Sequence, residues 1–380
     1  MGNGEWGMGG EKRWRMENKS QRLLSLDALR GFDMMMIIGI DVIAGCLAAL
    51  CGWPELARQF DHPEWFGISF YDTVFPLFLF IAGISFPFSY AKQVEKGVSS
   101  KDIHLKILKR FLMLFLLGLV TNAIFKCHFH EIRYGSVLCK IGQCWAIAAL
   151  LYIHCSRRTR IAISAALVIV YAALQFVVAP DAPPGTDPMS LEGCFVGWLD
   201  RLWMPGALYQ SNLMEPSGFN ANFFSTITAM LGMFAGEIVR DANASGQEKT
   251  LRLVLFAAGL LVFGLGFRCI MPFSKRLWNP AFSLTVGAYS AAIFALFYYV
   301  IDVLGFRRWT YFFTVVGTNA ITIYMLQQFV DFDFTSRFFL GGIAGFMSEP
   351  AGALLIACGA FAAKWLVLRF LYEKKVFLKV

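Results

Sequence analysis

Residues 29–51 read LRGFDMMMIIGIDVIAGCLAALC, an apolar run interrupted by Arg30, Asp33 and Asp41. About 20 such residues in a helix span the hydrocarbon core of a bilayer. Similar runs recur along the whole chain, and each must close its own backbone hydrogen bonds because the bilayer core holds no water. The sequence therefore predicts an all-α, polytopic integral membrane protein built as a helical bundle.

Composition supports this class. Hydrophobic residues make up 57% of the 380 residues, charged residues 16%, and the mean hydropathy is +0.56. A soluble domain of this length carries far more charge. We predict about ten transmembrane helices, at 29–51, 70–91, 107–126, 137–155, 161–179, 222–239, 253–271, 281–301, 309–328 and 351–371. An eleventh at 329–346 is disfavoured by Asp331, Asp333 and Arg337, which favour a re-entrant or interfacial piece.

The distribution of positive charge predicts the orientation. With a cytoplasmic N-terminus, 22 of the 34 Lys and Arg residues fall in the inside loops, as the positive-inside rule requires. An eleventh crossing would place the basic C-terminus outside, so ten spans with both termini cytoplasmic are preferred. The net charge of +8 is then explained by topology, and no nucleic-acid partner is expected. A bacterial inner membrane is the default location.

The domain organisation is simple. Residues 1–21 are polar and Gly-rich and predict a disordered cytoplasmic tail, within which Met16 is an alternative start to Met1. Residues 22–380 contain no long polar linker and predict one transmembrane domain. Nine cysteines show no spacing of a disulfide framework.

His62 and Asp72 are the first candidates for chemistry. His62 lies in the loop after the first span, and Asp72 opens the second span ten residues later. Imidazole exchanges a proton near neutral pH or acts as a nucleophile. Asp72 either caps its helix or orients His62, and the two roles are compatible. The predicted topology places both residues on the outer side of the membrane.

Charges within the first span need a separate explanation. Arg30 lies three residues from both Asp27 and Asp33, and the trio is either an ion-pair cluster at the cytoplasmic rim or part of a site. Asp41 lies about three turns deeper on nearly the same face. An unpaired carboxylate at mid-membrane costs a few kcal/mol, so a functional role is favoured for Asp41.

Further polar residues have two interpretations each. The basic rim that includes Lys109 and Arg110 either follows from topology and anionic lipids or holds the phosphates of a nucleotide-bearing donor. Asn122 and Asn319 either join helices or serve a site. Trp203, in the long loop 180–221, belongs to an interfacial belt or to a carbohydrate site. The run 127–131 contains Cys, His and Glu, but its spacing fits no standard zinc pattern, and no metal is expected.

Six motifs, in order and each at the edge of a span, resemble the transmembrane heparan-alpha-glucosaminide N-acetyltransferase family and its bacterial relatives. They are Arg22-x-x-Ser25-x-Asp27-x-x-Arg30-Gly31; His62-x-x-Trp65-x-Gly67 with Asp72-x-Val74-Phe75-Pro76; Glu215-Pro216-Ser217-Gly218; Ser274-Lys275-Arg276-Leu277-Trp278-Asn279-Pro280; Gly317-Thr318-Asn319-Ala320-Ile321-Thr322-Ile323-Tyr324; and Lys374-Lys375-Val376-Phe377-Leu378-Lys379. The resemblance runs from about residue 22 to the end of the chain.

The resemblance implies an acyltransferase domain that moves acetyl from cytoplasmic acetyl-CoA, the co-substrate, to the amine of a glucosamine-type sugar or glycan outside. The family's active histidine falls on His62. The family has Asn in the first span where this chain has Asp41, and Glu215 replaces the leading Asp of its motif.

On that basis we assign roles to the candidate residues. The catalytic residues are His62, as base or acetyl carrier, and Asp41 and Asp72, which orient it. The donor is held by Arg30, Lys109 and Arg110 at its phosphates, with Asn122 or Asn319 donating to the oxyanion. The acceptor is bound by Trp65, Trp203, Glu215 and Trp278.

Two other functions stay open at this point. One is an O-acyltransferase acting on a cell-envelope polysaccharide, and the other is a sugar or anion transporter, against which the missing internal repeat counts. Membrane lipids are expected partners. The acceptor, the acyl-chain length and the oligomeric state, including a homodimer, are left undetermined by the sequence.

Overall fold

The computed structural model describes residues 23–124, 132–209 and 213–378. Within these ranges the chain forms fourteen helices and no strand, apart from two isolated β-bridges. The predicted all-α helical bundle is thereby confirmed. The tail 1–21, the alternative start Met16 and the run 127–131 lie outside the described residues.

The helices are numbered here in chain order. They are α1 (Leu24–Cys51), α2 (Pro54–Gln59), α3 (Phe70–Glu95), α4 (Ser100–Leu119), α5 (Val137–His154), α6 (Arg157–Leu174), α7 (Phe195–Trp203), α8 (Phe219–Arg240), α9 (Gly246–Arg268), α10 (Pro280–Val303), α11 (Thr310–Gly317), α12 (Ala320–Leu326), α13 (Phe332–Ala344) and α14 (Glu349–Glu373).

Seven helices among the described residues are long and apolar enough to cross a membrane: α1, α3, α5, α8, α9, α10 and α14. The chain is therefore an integral membrane protein of the helical type. The other three predicted spans also fall on helices, with differences. Helix α4 begins in a charged segment, α6 begins at Arg157 and ends at Leu174, and the span 309–328 is divided into α11 and α12 around Thr318 and Asn319.

The segment predicted to be re-entrant or interfacial forms α13, a helix of 13 residues that packs against α14. At 1.5 Å per residue it is roughly 20 Å long, which is shorter than the hydrocarbon core. Its phenylalanines Phe338 and Phe339 are exposed. The helix therefore does not span a bilayer by itself.

Close helix packing forms the centre of the bundle. A Cβ on Gly232 of α8 would lie 2.1 Å from the carbonyl oxygen of Phe80 in α3, and one on Gly83 would lie 2.2 Å from that of Ala229. Small residues let helix backbones approach in this way in membranes. The largest buried apolar cluster lies around this contact, with members from α1, α3, α5, α8, α9 and α10.

Helix α1 is broken in its middle. Residues Met36–Ile40 form a π-helical turn in which Gly39 has φ 149° and ψ −8°, a conformation that residues with a Cβ rarely adopt. The break leaves the carbonyl of Ile38 available, and Lys364 of α14 donates to it at 2.8 Å. Asp41 directly follows the break, so the break determines the direction in which the Asp41 side chain projects from α1.

Candidate active site

His62 and Asp72 are in direct contact. The Nδ1 atom of His62 lies 2.7 Å from Oδ1 of Asp72. Asp72 occupies the short 3₁₀ turn that opens α3, where its Oδ2 also accepts from the backbone N–H of Ser69 at 3.1 Å. The capping contact and the contact with His62 are therefore made by different oxygens of one carboxylate.

This contact determines which ring nitrogen of His62 carries the hydrogen. A carboxylate only accepts, so Nδ1 of His62 carries the hydrogen and donates it to Asp72. The Nε2 atom then has its lone pair available to take a proton. The His62 side chain is 45% exposed while that of Asp72 is 1% exposed, so the imidazole is accessible and its partner is not.

Lys275 completes the cluster from the loop between α9 and α10. Its Nζ atom lies 3.1 Å from Oδ1 of Asp72 and 3.4 Å from each ring nitrogen of His62. Burial lowers the pKa of Lys275, and the Asp72 carboxylate opposes that shift. Lys275 therefore contacts both members of the His62–Asp72 pair.

Asp41 reaches this cluster through Tyr71. The Tyr71 ring packs against the His62 ring with 5.0 Å between centroids, and its hydroxyl donates to Oδ2 of Asp41 at 2.9 Å. The other oxygen of Asp41 is buried without a hydrogen-bond partner among the described residues. The structure thus brings Asp41 to the same region as His62, one residue removed.

A cavity of about 350 Å³ opens beside His62. Its wall includes Asp72, Trp65, Trp278 and Tyr71 together with four basic residues, Arg133, Lys140, Lys275 and Arg276. Of the four residues predicted to bind the acceptor, Trp65 and Trp278 therefore line the cavity. Trp278 is buried and has φ 52°, and its indole N–H donates to Thr228 at 3.2 Å.

The other two residues predicted to bind the acceptor lie elsewhere. Glu215 is fully buried and forms a bidentate pair with Arg133 at 2.5 and 2.6 Å, so its charge is already compensated. Trp203 is 52% exposed and stacks on Phe219 with centroids 5.9 Å apart. Neither residue is part of the cavity wall.

The two predicted oxyanion donors are also outside the cavity wall. The amide nitrogen of Asn122 donates to the carbonyls of Arg133 and Gly135, at 3.2 and 2.7 Å, and holds the segment that leads into α5. Asn319 is buried between α11 and α12, and its amide nitrogen has no partner among the described residues. The structure does not bring either amide to His62.

A second, basic cavity of about 470 Å³ lies at the opposite end of α3. Five cations line it, namely Lys92, Lys96, Lys106, Lys109 and Arg110, and no acid is among the described residues of its wall. The Arg110 guanidinium lies 4.2 Å from the centre of the Trp145 ring. Arg30 is not in this wall; it contacts Asp27 and Ser85 at 3.4 and 3.3 Å.

Helix α3 joins the two cavities. Asp72 lies at its first turn and Lys92 near its end, and twenty residues of helix extend about 30 Å. This is roughly the thickness of the hydrocarbon core. The His62 cavity and the basic cavity therefore open at opposite faces of the bundle.

Four residues of the cavity wall had no role predicted from the sequence: Lys140, Lys275, Arg276 and Tyr71. The motif Ser274–Pro280 contains Lys275 and Arg276, so a signal for the loop was present. Tyr71 directly precedes Asp72, and nothing in its position distinguishes it from an interfacial aromatic. Lys140 is the one charge within the apolar span 137–155, a signal that was available.

Comparison with known proteins adds a distant similarity. Residues 22–179 match the family model described as Domain of unknown function (DUF5009). The chain is 24% identical over 424 residues to heparan-alpha-glucosaminide N-acetyltransferase of Homo sapiens, covering 97% of this chain and 61% of the relative. The Mus musculus protein of the same name is 24% identical over 423 residues, covering 96% and 61%. The chain thus spans about three fifths of these relatives, and the resemblance inferred from the motifs is confirmed.

Proposed function

We propose that the protein is a transmembrane N-acetyltransferase. It moves an acetyl group from cytoplasmic acetyl-CoA to the amine of a glucosamine-type sugar on the other side of the membrane. The observation that carries the proposal is the His62–Asp72 pair at a cavity lined by Trp65 and Trp278. The similarity to proteins named as N-acetyltransferases supports acetyl transfer as the reaction at this pair.

His62 is the general base in this proposal. The acceptor amine is protonated in water, so it must lose one proton to solvent before it attacks a thioester carbonyl and a second proton once the C–N bond forms. Nε2 of His62 removes that second proton, and Asp72 stabilises the imidazolium through Nδ1. The Nζ atom of Lys275 lies 3.4 Å from the nitrogen that takes this proton. The same proton can pass to the departing thiolate, so His62 ends the cycle neutral.

Asp41 acts in this scheme through Tyr71, because its carboxylate accepts a hydrogen bond from the Tyr71 hydroxyl. The ring of Tyr71 packs against the imidazole and so links the position of Asp41 to that of His62. Asp41 and Tyr71 are thus positioning residues, and Asp72 is the direct partner of the base.

The donor enters from the basic cavity. Phosphates are bound by clusters of Arg and Lys, and Lys109 and Arg110 both line that cavity. Arg30 lies between α1 and α3 and is held by Asp27 and Ser85, a position suited to the donor's passage between the helices. The positive-inside rule supports a cytoplasmic position for this end of α3.

The acceptor binds in the His62 cavity against Trp65 and Trp278. Trp65 is fixed by its indole N–H, which donates to the carbonyl of Met189 at 2.7 Å. Indole faces pack against sugar rings without needing a charged partner. Glu215 contributes to acceptor binding indirectly, because it holds Arg133, which lines the cavity. Trp203 lies outside the cavity wall and has no direct contact with the acceptor in this proposal.

The test is acetyl-CoA-dependent acetylation by the purified protein in detergent. We expect free CoA to be released only when glucosamine is present, and His62→Ala to lower the rate by 10²–10⁴-fold because the general base is lost. His104→Ala is the matched control, since His104 lies at the other end of the bundle near His154 and should leave the rate unchanged.

Mass spectrometry of products from amino sugars and neutral sugars separates the remaining alternatives. Acetylation of hydroxyls alone would replace the proposal with an O-acyltransferase. Uptake of amine into vesicles that contain the protein, without CoA release, would replace it with a transporter. Recovery of labelled acetyl on His62 after incubation with labelled acetyl-CoA alone would replace direct attack with an acetyl-imidazole route.

A further inference from the structure

Lys140 is a buried cation in the wall of the His62 cavity. Its side chain is 1% exposed, although the residue lies in the first turn of α5 within an apolar span. Its Nζ atom donates to the carbonyl of Pro216 at 3.0 Å and lies 3.7 Å from the centre of the Trp278 ring. The ring and the carbonyl hold the ammonium in one place.

The charge of Lys140 has no carboxylate partner. Within 23–124, 132–209 and 213–378, no carboxylate oxygen lies within 4.0 Å of its Nζ atom, and Glu215 is engaged by Arg133. Burying a charge is costly unless it is paired. An ammonium has three N–H donors, of which the Pro216 carbonyl takes one. Lys140 is therefore complementary to negative charge that arises in the cavity.

The position of Lys140 on α5 adds to this field. The N-terminal end of a helix carries a partial positive charge, and Val137, the first residue of α5, also lines the cavity. The other three cations of the wall are already engaged: Lys275 by Asp72, Arg133 by Glu215, and Arg276 by the backbone carbonyl of Glu64 at 2.7 Å. The amide nitrogen of Asn122 is engaged by two backbone carbonyls.

We propose that Lys140 is the catalytic electrophile, the group that stabilises the oxyanion during acyl transfer. The inference rests on the proposed function and names a residue for one of its steps. The amine nitrogen attacks the thioester carbonyl carbon, a C–N bond forms, and the carbonyl π electrons move to oxygen, where the ammonium of Lys140 donates a hydrogen bond. The attacking amine has already lost one proton to solvent, and His62 takes the proton that the nitrogen must lose once the C–N bond forms. The oxyanion then collapses, the C–S bond breaks, and the thiolate leaves with the proton from His62.

The test compares Lys140→Met, which keeps the length and removes the charge, with Lys140→Arg, which keeps the charge. Loss of an oxyanion donor lowers kcat by about 10²–10³-fold. We expect that loss in Lys140→Met with KM for both substrates within about threefold, and recovery to within about tenfold of wild type in Lys140→Arg. Lys101→Met, on an exposed part of α4, is the matched control and should leave kcat unchanged.

Melting temperatures in detergent separate catalysis from folding. If Lys140→Met does not fold, the decision passes to Lys140→Arg, and a natively folded Lys140→Arg with less than one hundredth of the wild-type kcat overturns the proposal. A folded Lys140→Met with unchanged kcat, or with a raised KM alone, overturns it as well. Wild-type protein that releases no CoA with any amine contradicts the proposed function itself, whereas active wild type with active Lys140→Met contradicts only the role of Lys140.

Discussion

His62 lies between a buried carboxylate and a lysine ammonium. Asp72 contacts Nδ1 at 2.7 Å, while the Nζ atom of Lys275 is 3.4 Å from both ring nitrogens. In the proposed function the imidazole takes a proton and returns it within one cycle. The spacing of His62 and Asp72 in the sequence suggested the pair, but Lys275 comes from a loop 213 residues away and is recognised only in the fold.

Asp200 provides a prediction at the residue scale. It is fully buried in α7, and desolvation raises its pKa from 3.8 to about 6 even though Asn220 and the backbone of Glu215 donate to it. A raised pKa contributes stability below the unfolded value, which is lost as the pH rises through the folded value. We expect wild type to lose roughly 2 kcal/mol of stability between pH 4 and pH 7 from this group.

Thermal unfolding in detergent across that pH range checks this expectation. Asp200→Asn removes the titrating group, so the decrease in stability from pH 4 to pH 7 should become smaller, whatever the variant's absolute stability. Asp187→Asn, in the same loop, is the control and should keep the wild-type slope. Parallel slopes for wild type and Asp200→Asn would show that this carboxyl does not titrate in the interval.

At the scale of elements, the helix bounds follow from local sequence and the contacts between helices do not. Apolar runs predicted where α1, α3, α5, α8, α9, α10 and α14 lie. The break in α1 at Gly39 was not predicted, because a single glycine in a helix is compatible with a continuous span. The break is adopted where α14 packs against α1, and Lys364 occupies the freed carbonyl of Ile38.

The contact between α3 and α8 gives the prediction at this scale. Gly232→Ala would place a methyl group 2.1 Å from the backbone oxygen of Phe80, and the helices would have to separate. Overpacking of this kind costs roughly 1–3 kcal/mol. The melting temperature of the variant in detergent should fall accordingly.

Gly259→Ala is the matched control, because a Cβ at Gly259 meets nothing within 4 Å. That substitution should be neutral or stabilise by up to about 1 kcal/mol through helix propensity. Equal melting temperatures for the two variants would contradict the close contact between α3 and α8.

At the scale of the whole molecule, the arrangement of two cavities at the ends of α3 matters most. One contains His62 and the other contains five cations, and about 30 Å of helix separates them. In the proposed function, donor and acceptor arrive from opposite faces, so the donor's reactive end must pass along α3. In that proposal each cavity takes one substrate, in agreement with the charge asymmetry of the loops.

The basic cavity yields the prediction at this scale. Lys96→Gln and Lys106→Gln each remove a cation from the cavity wall, and we expect KM for acetyl-CoA to rise about two- to tenfold in each while KM for the amine stays constant. Lys101→Gln, on another part of α4 and outside this wall, should leave both constants unchanged. Steady-state kinetics at low ionic strength measures these values. Equal effects of all three substitutions on KM for acetyl-CoA would show that general surface charge, and not this cavity, attracts the donor.

The sequence by itself determined the helical membrane class, the approximate position of most spans and the pairing of His62 with Asp72. These properties depend on local hydropathy and short spacing, which act before the chain is packed. The tertiary structure alone decided which cations surround His62, that Glu215 is neutralised by Arg133, and that Tyr71 links Asp41 to the imidazole. Such contacts join residues far apart in the chain, and they exist only once helix packing has fixed the distance between their side chains.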